Sequence, residues 1–238
     1  MPVPYQKHQL FALNPQLGVT KRKVEGVGDV VIIENFFAYP DDIALMLEQA
    51  WCPSWKNSPT SNNFIDYYDC RYELERDVGS YDSTEYQQLI KDLALSKLGI
   101  KCHKREVHTS FNVFQWIDPP KDIGIQMHPH IDGKDVLASI VYLDKFSDGG
   151  TAFYSEYQDN PDIPESEDIR YDISKNAKLL DVVEANFNRC VIYPGNFPHG
   201  GYINNHSIYT GDNWRLNMVM FMETMMQSDH SSSFKLSA

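Results

Sequence analysis

The sequence predicts a mainly β fold with flanking helices (α+β), its core a sandwich or double-sheet barrel. Three observations lead there. From Glu106 onward the chain breaks into short β-branched and aromatic segments separated by turn formers, with no helical pattern between them. Tyrosine and phenylalanine are abundant, at 14 and 12 residues, which suits half-buried sheets better than helical bundles. A chain of 238 residues, 42% of them hydrophobic, is long enough for one substantial core. We therefore expect a single domain over 1–238. Within it, 1–105 supplies an N-terminal strand and supporting helices, 106–223 the β core with an insertion at 155–176, and 228–238 a polar tail.

In chain order, residues 1–26 are weakly patterned. Val30-Val31-Ile32-Ile33 is a β-branched run that reads as a strand. Tyr39-Pro40-Asp41-Asp42 follows, with proline and two acids at a helix start, and Ile43, Met46, Leu47 and Ala50 then share one helical face. Residues 51–80 mix aromatics with turn formers and are not assigned. Asp82 with Glu85 resembles a capping box; Tyr86, Leu89, Ile90 and Leu93 recur at helical spacing, and Gly99 is a natural stop. Both helices are expected to pack on a sheet rather than carry chemistry.

Strands are expected at 107–117, 136–143, 151–154, 179–183, 189–193 and 213–223. Asp118-Pro119-Pro120, Asp148-Gly149-Gly150 and Pro194-Gly195-Asn196 punctuate them. The stretch 155–176 is acidic, contains proline, and is longer than an ordinary connection. It reads equally as a solvated insertion or as a lid. The serine-rich tail at 228–238 is expected to fray.

Charge excludes some partners. The formal net charge is -12, and the one basic cluster is the short Lys21-Arg22-Lys23. A phosphate backbone would be repelled by most of this surface, so nucleic acid is not an expected partner. The first residues lack the basic and apolar regions of a signal peptide. Apolar runs such as 30–33 and 218–222 are too short to cross a membrane. Cys52, Cys70, Cys102 and Cys190 are scattered without a CxxC pair and read as reduced thiols. The expectation is a cytoplasmic protein.

The chemistry concentrates around Met127-His128-Pro129-His130-Ile131-Asp132-Gly133. In an extended strand His130 and Asp132 point to the same side, offering an imidazole and a carboxylate to one point. A polar strand end with a hydrogen-bonded histidine is the ordinary alternative. The sequence offers His199 as a third donor, after a Pro/Gly turn in Tyr193-Pro194-Gly195-Asn196-Phe197-Pro198-His199, although taken alone such a histidine reads as an ordinary loop residue. Two histidines and one carboxylate form the facial triad of non-haem iron, which leaves positions open for substrate and dioxygen. Farther on, alternation places Arg215, Asn217, Val219 and Phe221 on one face and Leu216, Met218, Met220 and Met222 on the other. Both faces are largely apolar, so the strand should be buried, and a buried arginine needs an anionic partner. Either a protein carboxylate or a dianionic cosubstrate fits, since a guanidinium grips carboxylate with two parallel hydrogen bonds.

The order His-x-Asp, a strand ending Tyr142-Leu143, Gly-Gly-Thr with Phe-Tyr, Pro-Gly with His199, and then Arg215 resembles the Fe(II)/2-oxoglutarate-dependent dioxygenase superfamily, in the style of its prolyl 4-hydroxylase-like branch. The resemblance spans roughly Phe111 to Glu223. It implies a double-stranded β-helix (jelly-roll) core, with His130, Asp132 and His199 as iron ligands. It implies Arg215 on the distal carboxylate of 2-oxoglutarate and the Tyr142 hydroxyl on the same group, with a core aromatic as the alternative role for Tyr142. Asn217 stands where many relatives carry a small polar residue.

The implied activity is hydroxylation of a C–H bond in a peptide or small molecule, with release of succinate and CO2. Asp132 argues against the halogenating variant, which has a small residue there. A cupin-type metalloprotein using His128, His130 and His199 is the runner-up and leaves Arg215 unexplained. A non-catalytic jelly-roll binding module is the third reading. His128 is read as a supporting or surface residue, and His108, Asn112 and Gln126 as possible cavity residues. His8, His103, His206 and His230 are read as surface histidines.

Overall fold

A computed structural model describes residues 10–49, 54–60, 63–73, 84–117, 119, 130–155 and 178–225. The expected insertion from 156 onward, the tail at 228–238, Ala50, Gln126 and His128 lie outside these residues.

Eleven strands and two helices organise the described chain. They are β1 (Gly18–Val24), β2 (Gly28–Glu34), α1 (Pro40–Gln49), β3 (Ser54–Thr60), β4 (Asn63–Glu73), α2 (Thr84–Leu93), β5 (Cys102–Trp116), β6 (Val136–Tyr142), β7 (Gly150–Tyr154), β8 (Leu179–Glu184), β9 (Cys190–Pro194), β10 (His199–Tyr202) and β11 (Arg215–Thr224). An eight-stranded sheet runs β1-β2-β9-β6-β11-β5-β4-β3, and a three-stranded sheet runs β10-β7-β8. His130 bridges His199 and so adds a further segment at the β10 edge of the small sheet.

From β5 the chain alternates between layers. It passes from β5 to the His130 segment, back to β6, over to β7 and β8, then β9, β10 and β11. Four segments in each layer, joined in this order, make a double-stranded β-helix. The expected jelly-roll core is present, with α1 and α2 beside it.

The inner strands are apolar on both parities because both faces are covered. Leu137, Val141, Cys190, Ile192, Leu216, Met218 and Met220 face outward and pack with Ile43 and Leu47 of α1 and Tyr86 and Ile90 of α2. Ala138, Tyr142, Val191 and Tyr193 face inward, meeting Phe153 and Val183 of the small sheet. The split expected for β11 is what forms: Leu216, Met218, Met220 and Met222 join the helix-side core, and Phe221 packs on the inter-sheet core.

The expected strands at 30–33, 107–117, 136–143, 151–154, 179–183, 189–193 and 213–223 correspond to β2, β5, β6, β7, β8, β9 and β11. Both expected helices form. α2 continues as one π-helical turn (Ala94–Leu98), and Gly99 stops it with φ 73°. The Gly99 amide donates to Leu95 O at 3.1 Å and the Ile100 amide to Ala94 O at 3.0 Å. Four strands were not expected: β1, β3, β4 and β10. β1 is a largely exposed edge strand carrying Thr20-Lys21-Arg22-Lys23, so no buried face imprints it. β10 is only His199-Gly200-Gly201-Tyr202, held by its pairing with β7 rather than by intrinsic preference. Among the described residues no helix is long and apolar enough to cross a membrane.

Candidate active site

His130 and His199 exchange both backbone hydrogen bonds, at 2.8 and 2.9 Å. They are thus directly opposed residues of an antiparallel pair and present their side chains on one face. The ring centroids lie 4.5 Å apart. Asp132, two residues on, falls on the same side. Its amide donates to Gly195 O at 2.7 Å, while the Gly195 amide donates to Val136 O at 2.7 Å. The Pro194-Gly195 turn therefore ties the Asp132 segment to the strand leading into His199. Only glycine fits there: a Cβ on Gly195 would stand 2.9 Å from Val136 O and 3.1 Å from the Asp132 Cβ.

One donor atom each from His130, Asp132 and His199 lies within 4.8 Å of the others. His199 Nε2 is 3.3 Å from Asp132 Oδ2, and His130 Nε2 is 3.7 Å from Asp132 Oδ1. His199 Nδ1 sits 2.7 Å from Phe197 O, so it carries the proton and donates, which leaves the Nε2 lone pair directed at the cluster. Asp132 Oδ2 is buried with no hydrogen-bond partner, an expensive arrangement for a carboxylate unless a cation completes it. Side-chain exposure falls from 26% for His130 to 8% for Asp132 and 5% for His199, so the cluster opens on the His130 side.

On the inward face of the large sheet, cross-strand register builds a polar row. Asn217 pairs with Tyr142 on one side and Asn112 on the other, and Asn112 Nδ2 donates to Asn217 Oδ1 at 2.9 Å. The Tyr142 hydroxyl lies 2.5 Å from Thr151 Oγ1. Burial pushes the Tyr142 phenol up to about 12, so it stays a neutral donor. Arg215 is buried, and its Nη2 makes a long 3.5 Å contact with Gly150 O. Its Nε has no hydrogen-bond partner. Gly150 brings that carbonyl close because it has φ 153° and no side chain, where a Cβ would stand 2.0 Å from Val183 O.

Arg215 acts electrostatically on Tyr142, Asp144, His206 and Tyr209, but the described residues give it no ion pair. Tyr193, inward on β9, closes the site from behind His199, with ring centroids 4.7 Å apart. Burial, then the nearby Asp132 and Tyr142, raise its phenol well above the ordinary value.

The structure thus brings His130, Asp132 and His199 together at one point and buries Tyr142 and Arg215 on the inward face of the large sheet. His108 stacks on Phe221 at 6.4 Å, and Asn112 belongs to the polar row. One expectation is corrected. His206 is not a surface histidine but is buried, because the short 3-10 turn His206–Ile208 tucks its ring edge-on to Trp116, with centroids 5.4 Å apart. Tyr193, Thr151 and Asp144 were not singled out from sequence. Tyr193 shared the inward parity of Val191, a usable signal, whereas Thr151 and Asp144 depend on which strands become neighbours.

No family model matches the chain, and no curated protein matches it in sequence. Solved structures similar to it include the non-haem α-ketoglutarate-dependent epimerase SnoN from nogalamycin biosynthesis, at 15% identity and TM-score 0.45, covering 82% of this chain and 78% of that one. A 2OG-Fe(II) oxygenase-family oxidoreductase from Burkholderia pseudomallei is 12% identical, TM-score 0.45, with 82% and 84% covered. A Pseudomonas putida prolyl-4-hydroxylase is 13% identical, TM-score 0.39, with 87% and 93% covered. At these identities the chemistry has to be read from the side chains themselves.

Proposed function

We propose that the protein is an Fe(II)- and 2-oxoglutarate-dependent oxygenase that hydroxylates a C–H bond of a peptide or small molecule. The supporting observation is a pair of complementary features among the inward-facing residues. One is a cluster of two imidazoles and a carboxylate whose buried Oδ2 lacks a partner. The other is a buried guanidinium whose Nε also lacks one. The first fits a divalent cation with nitrogen and oxygen donors and no thiolate, a set that suits iron. The second fits a carboxylate held away from the metal end.

His130, Asp132 and His199 would hold the metal, with the Phe197 carbonyl fixing the His199 tautomer. Bound Fe(II) supplies the redox chemistry with dioxygen, through which 2-oxoglutarate becomes succinate and CO2 and the substrate C–H bond is oxidised. The protein's own residues bind, orient and seal. Arg215 pairs with the distal carboxylate, and Tyr142, neutral up to about 12, donates its hydroxyl to the same group. Phe153, Val191 and Tyr193 form a dry wall behind the metal ligands, which strengthens each charged contact by excluding water. A cupin-type site would leave Arg215 without a role.

The test is binding of 2-oxoglutarate by calorimetry to protein loaded with Mn(II), which mimics Fe(II) without turnover. Metal-dependent binding near one equivalent is expected. Equal binding without metal, or none with it, would refute the assignment.

A further inference from the structure

Arg215 has a neighbour that the oxygenase reading does not use. Asn217 pairs with Tyr142, and the Leu143 amide donates to Leu216 O at 2.9 Å. Carrying this antiparallel register one step further sets Asp144 directly across from Arg215 on the inward face. Asp144 is buried. Its Oδ1 accepts from the Tyr209 hydroxyl at 3.1 Å and from the Ser147 amide at 3.3 Å. Its Oδ2 has no partner. An acceptor oxygen of Asp144 and the Arg215 Nε, a donor, are thus both buried and unsatisfied, and Arg215 acts electrostatically on the Asp144 carboxyl.

We infer that Asp144 is the resident counter-charge of Arg215 and takes up a proton when the distal carboxylate of 2-oxoglutarate binds. This rests on the assignment of Arg215 as the cosubstrate anchor. The physical argument is charge balance. Without cosubstrate, a buried guanidinium needs a negative partner, and Asp144 is the carboxyl placed to supply it. When a second carboxylate reaches the same guanidinium, two negative groups share one positive one, and one of them is driven to bind a proton. The cosubstrate carboxylate takes the direct hydrogen bonds, so the proton comes from solvent onto Asp144, whose Oδ2 is open to receive it.

The surroundings favour this outcome. Burial already raises the Asp144 carboxyl above its ordinary value, while Arg215 and then the Tyr209 hydrogen bond pull it back. Binding cosubstrate offsets the Arg215 contribution and leaves the burial. Other groups facing the pair do not take this role. Burial raises the Tyr209 phenol, and burial raises Tyr142 to about 12, so both stay protonated. Burial lowers His206, keeping its imidazole neutral. The Asp148 carboxylate is engaged elsewhere, its Oδ2 accepting from the Asn204 and Asn205 amides at 2.8 and 3.0 Å.

Asp144 is therefore a positioning residue that makes cosubstrate affinity depend on pH. The sign follows from uptake on binding: affinity falls as pH rises, by at most about tenfold per pH unit for one proton. The test is calorimetry of 2-oxoglutarate binding to Mn(II)-loaded protein between about pH 6 and 8, in buffers of different ionisation heat. Wild type should take up a fraction of one proton and bind more weakly at higher pH. Asp144→Asn should bind with no uptake and a flat pH profile. Tyr209→Phe removes a hydrogen bond to the ionised form, so uptake should persist with the fall in affinity moved to higher pH. Wild-type binding without proton uptake, or unchanged uptake in Asp144→Asn, overturns this inference and leaves the oxygenase assignment intact. No 2-oxoglutarate binding at all overturns both.

Discussion

Adding a single methyl group at Gly195 should loosen the metal site more than the fold. The Cβ of Gly195→Ala would lie 2.9 Å from Val136 O, 3.0 Å from the Val136 Cβ and 3.1 Å from the Asp132 Cβ. Relief requires movements of a few tenths of an ångström, shared between β6 and the Asp132 segment. Overpacking of this kind costs folding roughly 1–3 kcal/mol. A metal site tolerates only about 0.2 Å in its ligand distances, so the same shift is large for Asp132. Disturbing such a supporting contact typically lowers metal affinity about 10–100-fold. The assay is Mn(II) affinity by calorimetry, beside the thermal midpoint of the metal-free protein. Gly211→Ala is the control: φ is 64° and nothing lies within 4 Å of its Cβ. It should cost folding about 1–2 kcal/mol and leave metal affinity unchanged. Wild-type metal affinity in Gly195→Ala would refute the claim that this turn positions a ligand.

Two further outcomes follow from the interior. Arg215→Ala should fold and bind metal but lose 2-oxoglutarate affinity by about 2–5 kcal/mol, measured by calorimetry; a protein that fails to fold would instead make Arg215 a structural ion. Tyr142 and Tyr154 are both raised by burial to about 12, above the ordinary phenol value. Their neutral forms stabilise the fold fully below about pH 10, and that stability is lost as pH rises from there through about 12. Alkaline titration followed by circular dichroism should show unfolding in that window, with phenolate absorbance from these residues appearing together with it.

How much could be read in the sequence depends on which residues carry their structure with them. β6, β9 and β11 were legible because burial on both faces leaves continuous apolar runs, and Gly/Pro turns bound them. β10 was not, since His199-Gly200-Gly201-Tyr202 has no strand preference and exists through its register with β7. β1 hid behind the polar pattern of an exposed edge. The three donors were legible as residue types at suggestive spacings. Their convergence came from the His130–His199 bridge, which no local pattern encodes. Asp144 went unnoticed for the same reason: it comes near Arg215 only through the pairing of β6 with β11, which are distant in sequence. His206 was misjudged because a polar residue in a loop gives no sign that the loop folds inward over Trp116.

The most direct measurement is turnover of 2-oxoglutarate without any prime substrate. Protein reconstituted anaerobically with Fe(II) is exposed to dioxygen and cosubstrate labelled at its C1 carboxylate. Wild type should bind about one iron per chain, as one facial triad requires. It should release labelled CO2 and succinate in equal amounts, and Asp132→Ala should lose both iron and product. The account is contradicted if iron-loaded wild type forms no succinate, or if Asp132→Ala keeps its metal while His128→Ala loses it.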